Sequence, residues 1–391
     1  MKIWIVFLVS LMALKVSAST PLPSTTQDPT HTTETASLLS VTQLTQFNGI
    51  PWGITLLNDQ EAIVTVKSGL AYRVNLLDGT QQALSGLPSV DDRGQGGLLD
   101  VALSPRFDTQ AWLYFTYTKP TQLGAKTTLA RAKLVKNTLT QWEDLLITDS
   151  ASNTTRHFGG RITFDNQNHV FFSIGDRGIR DNAQNLTNHA GSIVRLNLDG
   201  SVPNNNPFIT HANILNEIWS YGHRNPQGLY YDDDTHTLWS NEHGPRGGDE
   251  INLIRPGANY GWPIVSYGKE YSGNTNIGEG EEKDGIDNPV KVFIPSIAPS
   301  SLIRYKGMLF SNWNGDFLST ALALRHLNKI KTKANGDTSE ARYLAHLNER
   351  LRSIAQDSSG ILYLGTDSGK LLRISLAADP NHKTASLHPM K

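Results

Sequence analysis

Cysteine is absent from all 391 residues. That excludes disulfide staples, thiolate metal sites, a cysteine nucleophile and a lipid-modified N-terminal cysteine. Rigidity must therefore come from packing, hydrogen bonds or a hard-metal site. Charge is also scarce: 18% of residues are charged, against about 25% in an average globular protein. Lys and Arg total 35, Asp and Glu 36, for a formal charge of -1. No basic surplus exists for an electrostatic nucleic-acid partner. Long helical periodicity is scarce too, with 339 to 350 the most helix-like stretch. At about 150 residues per domain, the length allows two or three domains or a single large β-fold.

The one long apolar run is N-terminal. Met1-Lys2 is a short positive segment, Ile3 to Leu14 is almost continuously apolar, and Val16-Ser17-Ala18 is a small-residue cleavage signature. Residues 1–18 read as a secretory signal peptide, too short for a membrane span. A buried strand or an uncleaved anchor is the alternative. Lys2 and Lys15 leave with the signal, taking the formal charge from -1 to -3. No later segment offers 18 apolar residues in a row, so the mature chain is expected to be soluble. Residues 19–36 are rich in Thr, Ser and Pro and read as a disordered tether.

From about Pro51 onward, short runs of Val, Ile, Leu, Tyr and Phe are broken by Gly, Asn and Asp, the composition of strands and turns. One pattern recurs: an apolar strand, an Asp/Asn turn, a second strand, a Gly turn and a third strand. The Asp/Asn turns fall near 58, 108, 165, 232, 306 and 357, about 50 to 74 residues apart. In the fifth unit the second strand is placed at Met308-Leu309-Phe310. Propeller blades need about 40 to 50 residues. The expected fold is all-β, a six-bladed β-propeller with long inter-strand loop insertions over 37–378, followed by a tail at 379–391. A pair of β-sandwiches would not explain six similar units. Closing the ring predicts that Val41 to Phe47 pairs with the last unit.

Polar constellations sit at strand ends and in the insertions. Gln95 follows Asp91-Asp92-Arg93-Gly94 at a strand entrance, with both a donor and an acceptor to offer. His157 precedes two glycines at the mouth of a strand, and Asp176 closes the adjoining one. A carboxylate on one imidazole nitrogen fixes the tautomer and frees the other as a base. A hydrogen-bonded structural histidine is the plainer reading, and Asp181 or Asn182 could serve in place of Asp176. Arg224 could grip an anionic or carbonyl-bearing ligand, or close a loop ion pair. The run 241–250, with Asp249 and Glu250 adjacent and Tyr260 ten residues on, resembles a hard-cation loop but lacks EF-hand spacing. Arg350 and Arg352 share one face of a strand start; facing inward they need an anion, outward nothing.

Taken in order, HFGGR (157–161), IGDRG (174–178), GSIVRLNLDGS (191–201), GHRNPQG (222–228), GPRGGDEINLI (244–254), GANYGWP (257–263) and ERLRS (349–353) resemble one family. It is the soluble pyrroloquinoline-quinone (PQQ) dependent aldose sugar dehydrogenases, grouped with glucose/sorbosone dehydrogenases. The resemblance spans about Gln43 to Ile374 and implies a six-bladed propeller. It implies His157 as general base, Asp176 as its orienting carboxylate and Gln95 in contact with cofactor and substrate. Arg224 and Asn225 would contact the cofactor, Arg224 near the reactive quinone carbonyl. Arg350 and Arg352, flanking Leu351, would hold the PQQ carboxylates. Gly244 and Pro245 would offer carbonyls to a calcium under the cofactor, and Glu250 and Tyr260 would bind a further calcium beside Asp249. Tyr271 would lie against the cofactor. Where the family commonly has a lysine facing the cofactor after Ala-Leu, this chain has Ala323-Leu324-Arg325, which would line the cofactor and keeps the charge but changes its fork.

The implied activity is oxidation of an aldose at C1 to the aldonolactone, with PQQ and calcium as cofactors. The partners implied are the sugar and an electron acceptor (a quinone, a cytochrome or a dye). A periplasmic monomer or homodimer is expected. A calcium-dependent lactonase on the same fold has no evident use for Arg350 and Arg352. A non-catalytic sugar-binding propeller would not need His157, Gln95 and Arg224 together.

Overall fold

A computed structural model describes residues 31–32, 39–333 and 336–377. The signal segment, most of the tether and the C-terminal tail lie outside the described residues. The chain forms six sheets, each with a four-stranded meander. Blade 1 runs Pro51–Asn58, Glu61–Val66, Leu70–Asn75 and Gln81–Ala83. Blade 2 begins at Leu98–Leu103, blade 3 at Ile162–Phe164, blade 4 at Pro226–Asp232, blade 5 at Pro299–Arg304 and blade 6 at Leu351–Gln356. Blade 6 takes its outermost strand, Leu39–Gln46, from the other end of the chain, where it pairs antiparallel with Lys370–Leu376. The ring thus closes where the sequence places the closure. Within the segment read as a tether, His31–Thr32 pairs parallel with Glu340 and Ala341 on the outer edge of blade 5.

Two expectations need correction. The helix-like stretch 339–350 is the strand Thr338–Tyr343 followed by a single 3-10 turn, Ala345–Leu347. Its backbone pairs fully with Leu327–Thr332, so sheet pairing overrides weak helical propensity. Residues 308–310 form a turn. The second strand of blade 5 is Phe317–Ala321, and the apolar side chains of Phe310 and Trp313 are buried from the turn into the cluster between blades 5 and 6 instead of forming a strand.

Each interface between blades holds its own apolar cluster. Ile63 with Leu98 and Phe115 joins blades 1 and 2; Phe171 and Ile193 with Leu229 and Leu238 join blades 3 and 4; Phe47 and Val64 with Tyr363 and Leu371 join blades 6 and 1. Second strands are buried on both faces, as at Ala62–Val66 and Val170–Ile174. That is why they read as continuous apolar runs rather than alternating ones. The Asp and Asn turns have a physical cause. Asn58 accepts from Gln60 N–H at 2.8 Å, Asp165 from Gln167 and His169 N–H at 2.9 Å, and Asp357 from Ser359 and Ile361 N–H at 3.0 and 2.9 Å. The side chain stands in for backbone and fixes the turn.

Six polar clasps tie each blade, from its innermost or second strand, to the innermost strand of the next. Thr65 Oγ1 donates to Leu99 O at 2.5 Å, Thr116 Oγ1 to Gly160 O, and Ser173 Oγ to Pro226 O at 3.0 Å. Asn241 Nδ2 donates to Ser301 O at 3.1 Å, Ser300 Oγ to Leu351 O at 2.6 Å, and Ser353 Oγ to Pro51 O at 3.1 Å. Each links one blade to the next, and the last closes the circle. On the axis, buried Arg161 donates at 2.9 Å to Asp100 Oδ1, Gln227 O and Ser300 O, under the Trp52 ring at 4.3 Å. One guanidinium thus joins blades 2, 4 and 5 to its own and packs on blade 1.

Candidate active site

The segments entering the innermost strands all lie at one end of the propeller, its front face. His157 is the central group there. Its backbone is left-handed, at φ 57°, a conformation that costs energy for a non-glycine residue and marks functional sites. Three contacts hold it. Its N–H donates to Gln95 Oε1 at 2.7 Å. Its ring Nδ1 meets Asp176 Oδ1 at 2.6 Å. Arg177 lies 3.5 Å over the Phe158 ring and donates to Arg156 O and, at 3.2 Å, to Thr154 O, pinning the loop on both sides.

Asp176 is 1% exposed and fully used. Besides His157 it accepts Gly178 N–H at 2.6 Å and Trp262 Nε1–H at 2.8 Å. Burial pushes its carboxyl up, but the His157 bond, Gly178 N–H and Arg224 outweigh it and hold it below the ordinary carboxylate range. Burial lowers the His157 imidazole, and Arg224 and Arg156 add to that, while Asp176 opposes it. The ring is therefore neutral near pH 7, with its proton on Nδ1 toward Asp176. Nε2 has no protein partner among the described residues and is available as a base.

Beside His157 opens a cleft of about 660 Å³, lined among others by Trp52, Lys67, Gln95, Asn225, His243 and Arg352. Arg350 also lines it. The arginine pair faces inward, and both share one carboxylate. Asp367 receives Arg350 Nε at 2.7 Å and Arg352 Nε and Nη2 at 2.8 and 2.9 Å. With Lys67 the cleft keeps a surplus of positive charge. Asn225 Oδ1 accepts Gly159 N–H at 3.2 Å and Gln227 Nε2 at 3.3 Å. His243 Nε2 donates to Pro299 O at 2.8 Å. Burial and the charges of Arg224, His157 and Arg352 push its pKa down to about 3, so it stays neutral.

A smaller cavity of about 270 Å³ adjoins, sharing His243 and lined by Arg224, Glu242, Gly244, Pro245, Glu250 and Tyr260. Arg224 Nη1 donates to His243 O at 3.1 Å and Gly244 O at 2.7 Å, and its Nη2 to the Tyr271 hydroxyl at 3.3 Å. Glu242 and Glu250 are joined only through Asn252 Nδ2, at 3.0 and 3.1 Å. Burial and the Glu242 charge push Glu250 well above the usual range. Glu242, buried, is also met by His223 Nδ1 at 3.0 Å and accepts Arg224 N–H at 2.8 Å, whereas Glu250, half-buried and opposite it on the neighbouring strand, has no positive partner of its own, an arrangement a cation would offset. Among the described residues no three His, Asp or Glu side chains cluster as metal ligands, so a cation here must also draw on carbonyls, as calcium does.

Asp249 does not line the cavity. It shapes the loop by accepting Gly244 N–H at 2.8 Å, Ala298 N–H at 2.7 Å and Ser296 Oγ at 3.1 Å. The Tyr260 hydroxyl is turned away, donating to Leu253 O at 2.6 Å and accepting Arg255 N–H at 2.8 Å, so only its main chain can serve the cavity. Gly244 must lack a side chain: a Cβ there would lie 2.1 Å from Gly248 O.

The remaining candidates stand apart from the cleft. Leu351 is buried in the core. Ala323, Leu324 and Arg325 are exposed, and Arg325 donates to Asn348 Oδ1 at 2.7 Å. Tyr271 is 66% exposed and reaches the site only through Arg224. Seven groups went unassigned in the sequence. Trp262, Glu242, His243 and Gln227 lie inside motifs that drew attention, whereas Trp52, Lys67 and Asp367 carry no signal of their own.

A ring of six four-stranded blades, with a carboxylate-oriented histidine on one face, defines a propeller enzyme site. The chain belongs to the Glucose / Sorbosone dehydrogenase family, which it matches over residues 49–373. It is 36% identical over 334 residues to the aldose sugar dehydrogenase YliI of Escherichia coli, covering 83% of this chain and 90% of that one. The apo crystal structure of the soluble E. coli aldose sugar dehydrogenase superposes with a TM-score of 0.83 at 34% identity, over 87% of this chain and 100% of that one. The PQQ-bound aldose sugar dehydrogenase of Streptomyces coelicolor gives 0.72 at 25% identity, over 87% and 99%. The lactonase and non-catalytic alternatives find no support among these relatives.

Proposed function

We propose that this chain oxidises aldose sugars at C1 to aldonolactones using PQQ and calcium. The observation that carries this reading is His157, fixed by Asp176 with Nε2 free, beside a cleft whose inward-facing Arg350 and Arg352 suit a polycarboxylate. PQQ is a planar tricarboxylate, and the residues present fit it: Arg350, Arg352 and Lys67 supply cations, and Trp52, Asn225 and Gln227 line the cleft. A hard cation likewise fits the adjoining cavity, through the carbonyls of Gly244 and Pro245, the carboxylate of Glu250 and the main chain of Tyr260. When bound, PQQ accepts the hydride from sugar C1, and calcium adds a positive charge beside the quinone.

The chain's own part is proton transfer, orientation and electrostatics. His157 Nε2 takes the proton of the C1 hydroxyl, and Asp176 stabilises the imidazolium that results. Arg224 places a fixed charge at the join of cleft and cavity, where negative charge develops. Gln95 holds the His157 main chain with its Oε1 and keeps its amide donors for sugar or cofactor. Arg325, in place of the family's lysine, is directed to Asn348 rather than into the cleft. Residues 1–18 would export the enzyme to the periplasm.

The test is reconstitution of the apoprotein with PQQ and calcium, followed by dye reduction with glucose. His157→Ala is expected to lose turnover by orders of magnitude while still binding PQQ. Near-normal turnover in that variant overturns the assignment of the base.

A further inference from the structure

The insertion between the third and outermost strands of blade 4, Asp249–Ile254 and Lys291–Phe293, crosses the front face. There it forms a small hairpin. Lys269 pairs antiparallel with Asn276, and Glu270 N–H donates to Thr275 O at 2.9 Å. The base is fixed, because Ile277 is buried with Trp262 and Ala183. Residues 271–276 are exposed, so the tip has no core of its own to set its position.

Two ties hold it instead. On the blade 4 side, Arg246 and Lys269 exchange backbone bonds at 3.2 and 3.1 Å, and Arg246 Nη2 donates to Asn274 Oδ1 at 2.9 Å. On the blade 3 side, Arg180 stands in the 3-10 turn Arg180–Gln184. Its Nη1 and Nη2 donate to Glu270 Oε1 and Oε2 at 2.6 and 2.8 Å. Most exposed ion pairs contribute little, but a two-pronged arginine–carboxylate pair fixes direction as well as distance.

The residue this pair sets is the next one. The Tyr271 hydroxyl accepts Arg224 Nη2 at 3.3 Å. The other side-chain bonds of Arg224, to His243 O and Gly244 O, both come from Nη1. Bonds on one nitrogen alone would let the guanidinium swing about that point, and Tyr271 supplies the bond on the other. The Trp262 ring lies 5.4 Å from the Arg180 guanidinium and 5.3 Å from that of Arg224. A second route from Arg180 therefore runs through Trp262 to Asp176, and the test separates the two.

We propose that Arg180 and Glu270 are positioning residues for the oxidation, their ion pair setting the hairpin tip so that the Tyr271 hydroxyl holds the second prong of Arg224. This inference rests on the proposed sugar oxidation, in which Arg224 acts where negative charge develops. A group that acts on developing charge affects the transition state more than the bound sugar. The effect therefore belongs in kcat and not in KM.

The test has two arms. In the first, the apoprotein is labelled with ¹³C at tyrosine Cζ, and Tyr271 is assigned through Tyr271→Phe. Arg180→Ala and Glu270→Ala are each expected to move the Tyr271 resonance toward that of free tyrosine. The exchanged pair, Arg180→Glu with Glu270→Arg, should bring it part of the way back. In the second, the holoenzyme with PQQ and calcium oxidises glucose with a dye as acceptor. Either single variant is expected to lose about two- to fivefold in kcat at unchanged KM, with recovery in the exchanged pair. Tyr271→Phe should show a similar loss, and Arg180→Ala should add nothing in that background. Should Arg180→Ala fail to fold, Glu270→Gln, which keeps the shape and removes the charge, is expected to give the same two readings. An unmoved Tyr271 resonance, an unchanged kcat, or an exchanged pair no better than the single variants overturns the proposal. So does a further loss when Arg180→Ala joins Tyr271→Phe, which would route the effect through Trp262. A parent enzyme that reduces no dye with glucose refutes the sugar oxidation itself, and the Tyr271 resonance then decides the tie alone.

Discussion

Asp176→Asn isolates the electrostatic part of the proposed chemistry with almost no change of shape. Asp176 accepts three donors: His157 Nδ1–H at 2.6 Å, Gly178 N–H at 2.6 Å and Trp262 Nε1–H at 2.8 Å. A carboxylate can accept all three, whereas an amide has one oxygen and one NH₂. If the amide oxygen serves His157 and Gly178, the NH₂ faces the Trp262 indole N–H, donor against donor. If the amide flips, its NH₂ faces His157 Nδ1 and moves the ring proton to Nε2, which removes the base. A hydrogen bond to a charged group contributes about 1.5–3 kcal/mol. Its loss at the imidazolium stage predicts a turnover lowered by about ten- to 150-fold, and more if the flipped amide dominates.

The pH profile separates this from a merely structural loss. Burial, the largest influence, lowers the pKa of His157, and Asp176 opposes that. Removing the carboxylate leaves only lowering influences, so the imidazolium forms at still lower pH. The base is active above its pKa. The acid limb of kcat/KM, read by dye reduction at saturating PQQ and calcium, is therefore expected to move to lower pH while the plateau falls. An acid limb that stays in place or moves up would refute the role given to Asp176. So would a kcat within about twofold of the parent.

Three further outcomes are expected. Arg352→Ala removes two of the three bonds to Asp367 and one cation of the cleft; PQQ affinity, measured by quenching of protein fluorescence, should fall about ten- to 100-fold, and unchanged affinity would place the PQQ carboxylates elsewhere. Gly244→Ala forces a Cβ against Gly248 backbone; a cost of about 2 kcal/mol or more is expected, with loss of calcium-dependent protection in thermal melts. Asp232 would be raised by burial, but Lys306, Thr235 and Arg304 outweigh it and bring it to about 2. Its folded pKa lies below the ordinary 3.8, so its contribution of about 2 kcal/mol is present above pH 4 and lost as pH falls through about 2. Asp232→Asn should lower the urea midpoint at pH 7, and the difference should shrink from pH 4 downward; a gap that stays constant would deny the ionic origin.

The propeller was legible because its signals are local. An Asp or Asn that bonds its own turn, as at Asn58, Asp165 and Asp357, leaves a residue type at a repeating position. A strand buried on both faces leaves an unbroken apolar run, as at Val170–Ile174. The site motifs were legible for the same reason: His157 and Arg224 lie in the short segments that lead into the innermost strands at Ile162 and Pro226. What the sequence hides are partners made by closure. Asp367 is fifteen residues from Arg352 and sits in a turn like any other, yet it decides how both arginines point. Trp262 is 86 residues from Asp176. The stretch 339–350 misled because the strand Thr338–Tyr343 mixes charged and apolar side chains, Glu340 and Arg342 with Ala341 and Tyr343, much as a surface helix does.

The absence of cysteine gains its meaning from the same closure. The groups of the front cleft sit at the entrances of innermost strands, as Gln95 and Arg350 do, or at the ends of the second strands beside them, as Lys67 and His243 do, so their positions are only as fixed as those strands. Six clasps, each contributing about 1 kcal/mol, tie each blade to the innermost strand of the next and so close a circle. Arg161 joins the innermost strands of four blades at the axis and packs against Trp52 on a fifth. A disulfide would join two points of the ring, whereas these bonds join every blade to its neighbour. The frame that keeps His157 against Asp176 is therefore set by the backbone of the whole ring rather than by any one loop. On this argument, loosening a clasp far from His157, such as Ser353 to Pro51, should blur the site before it unfolds the protein.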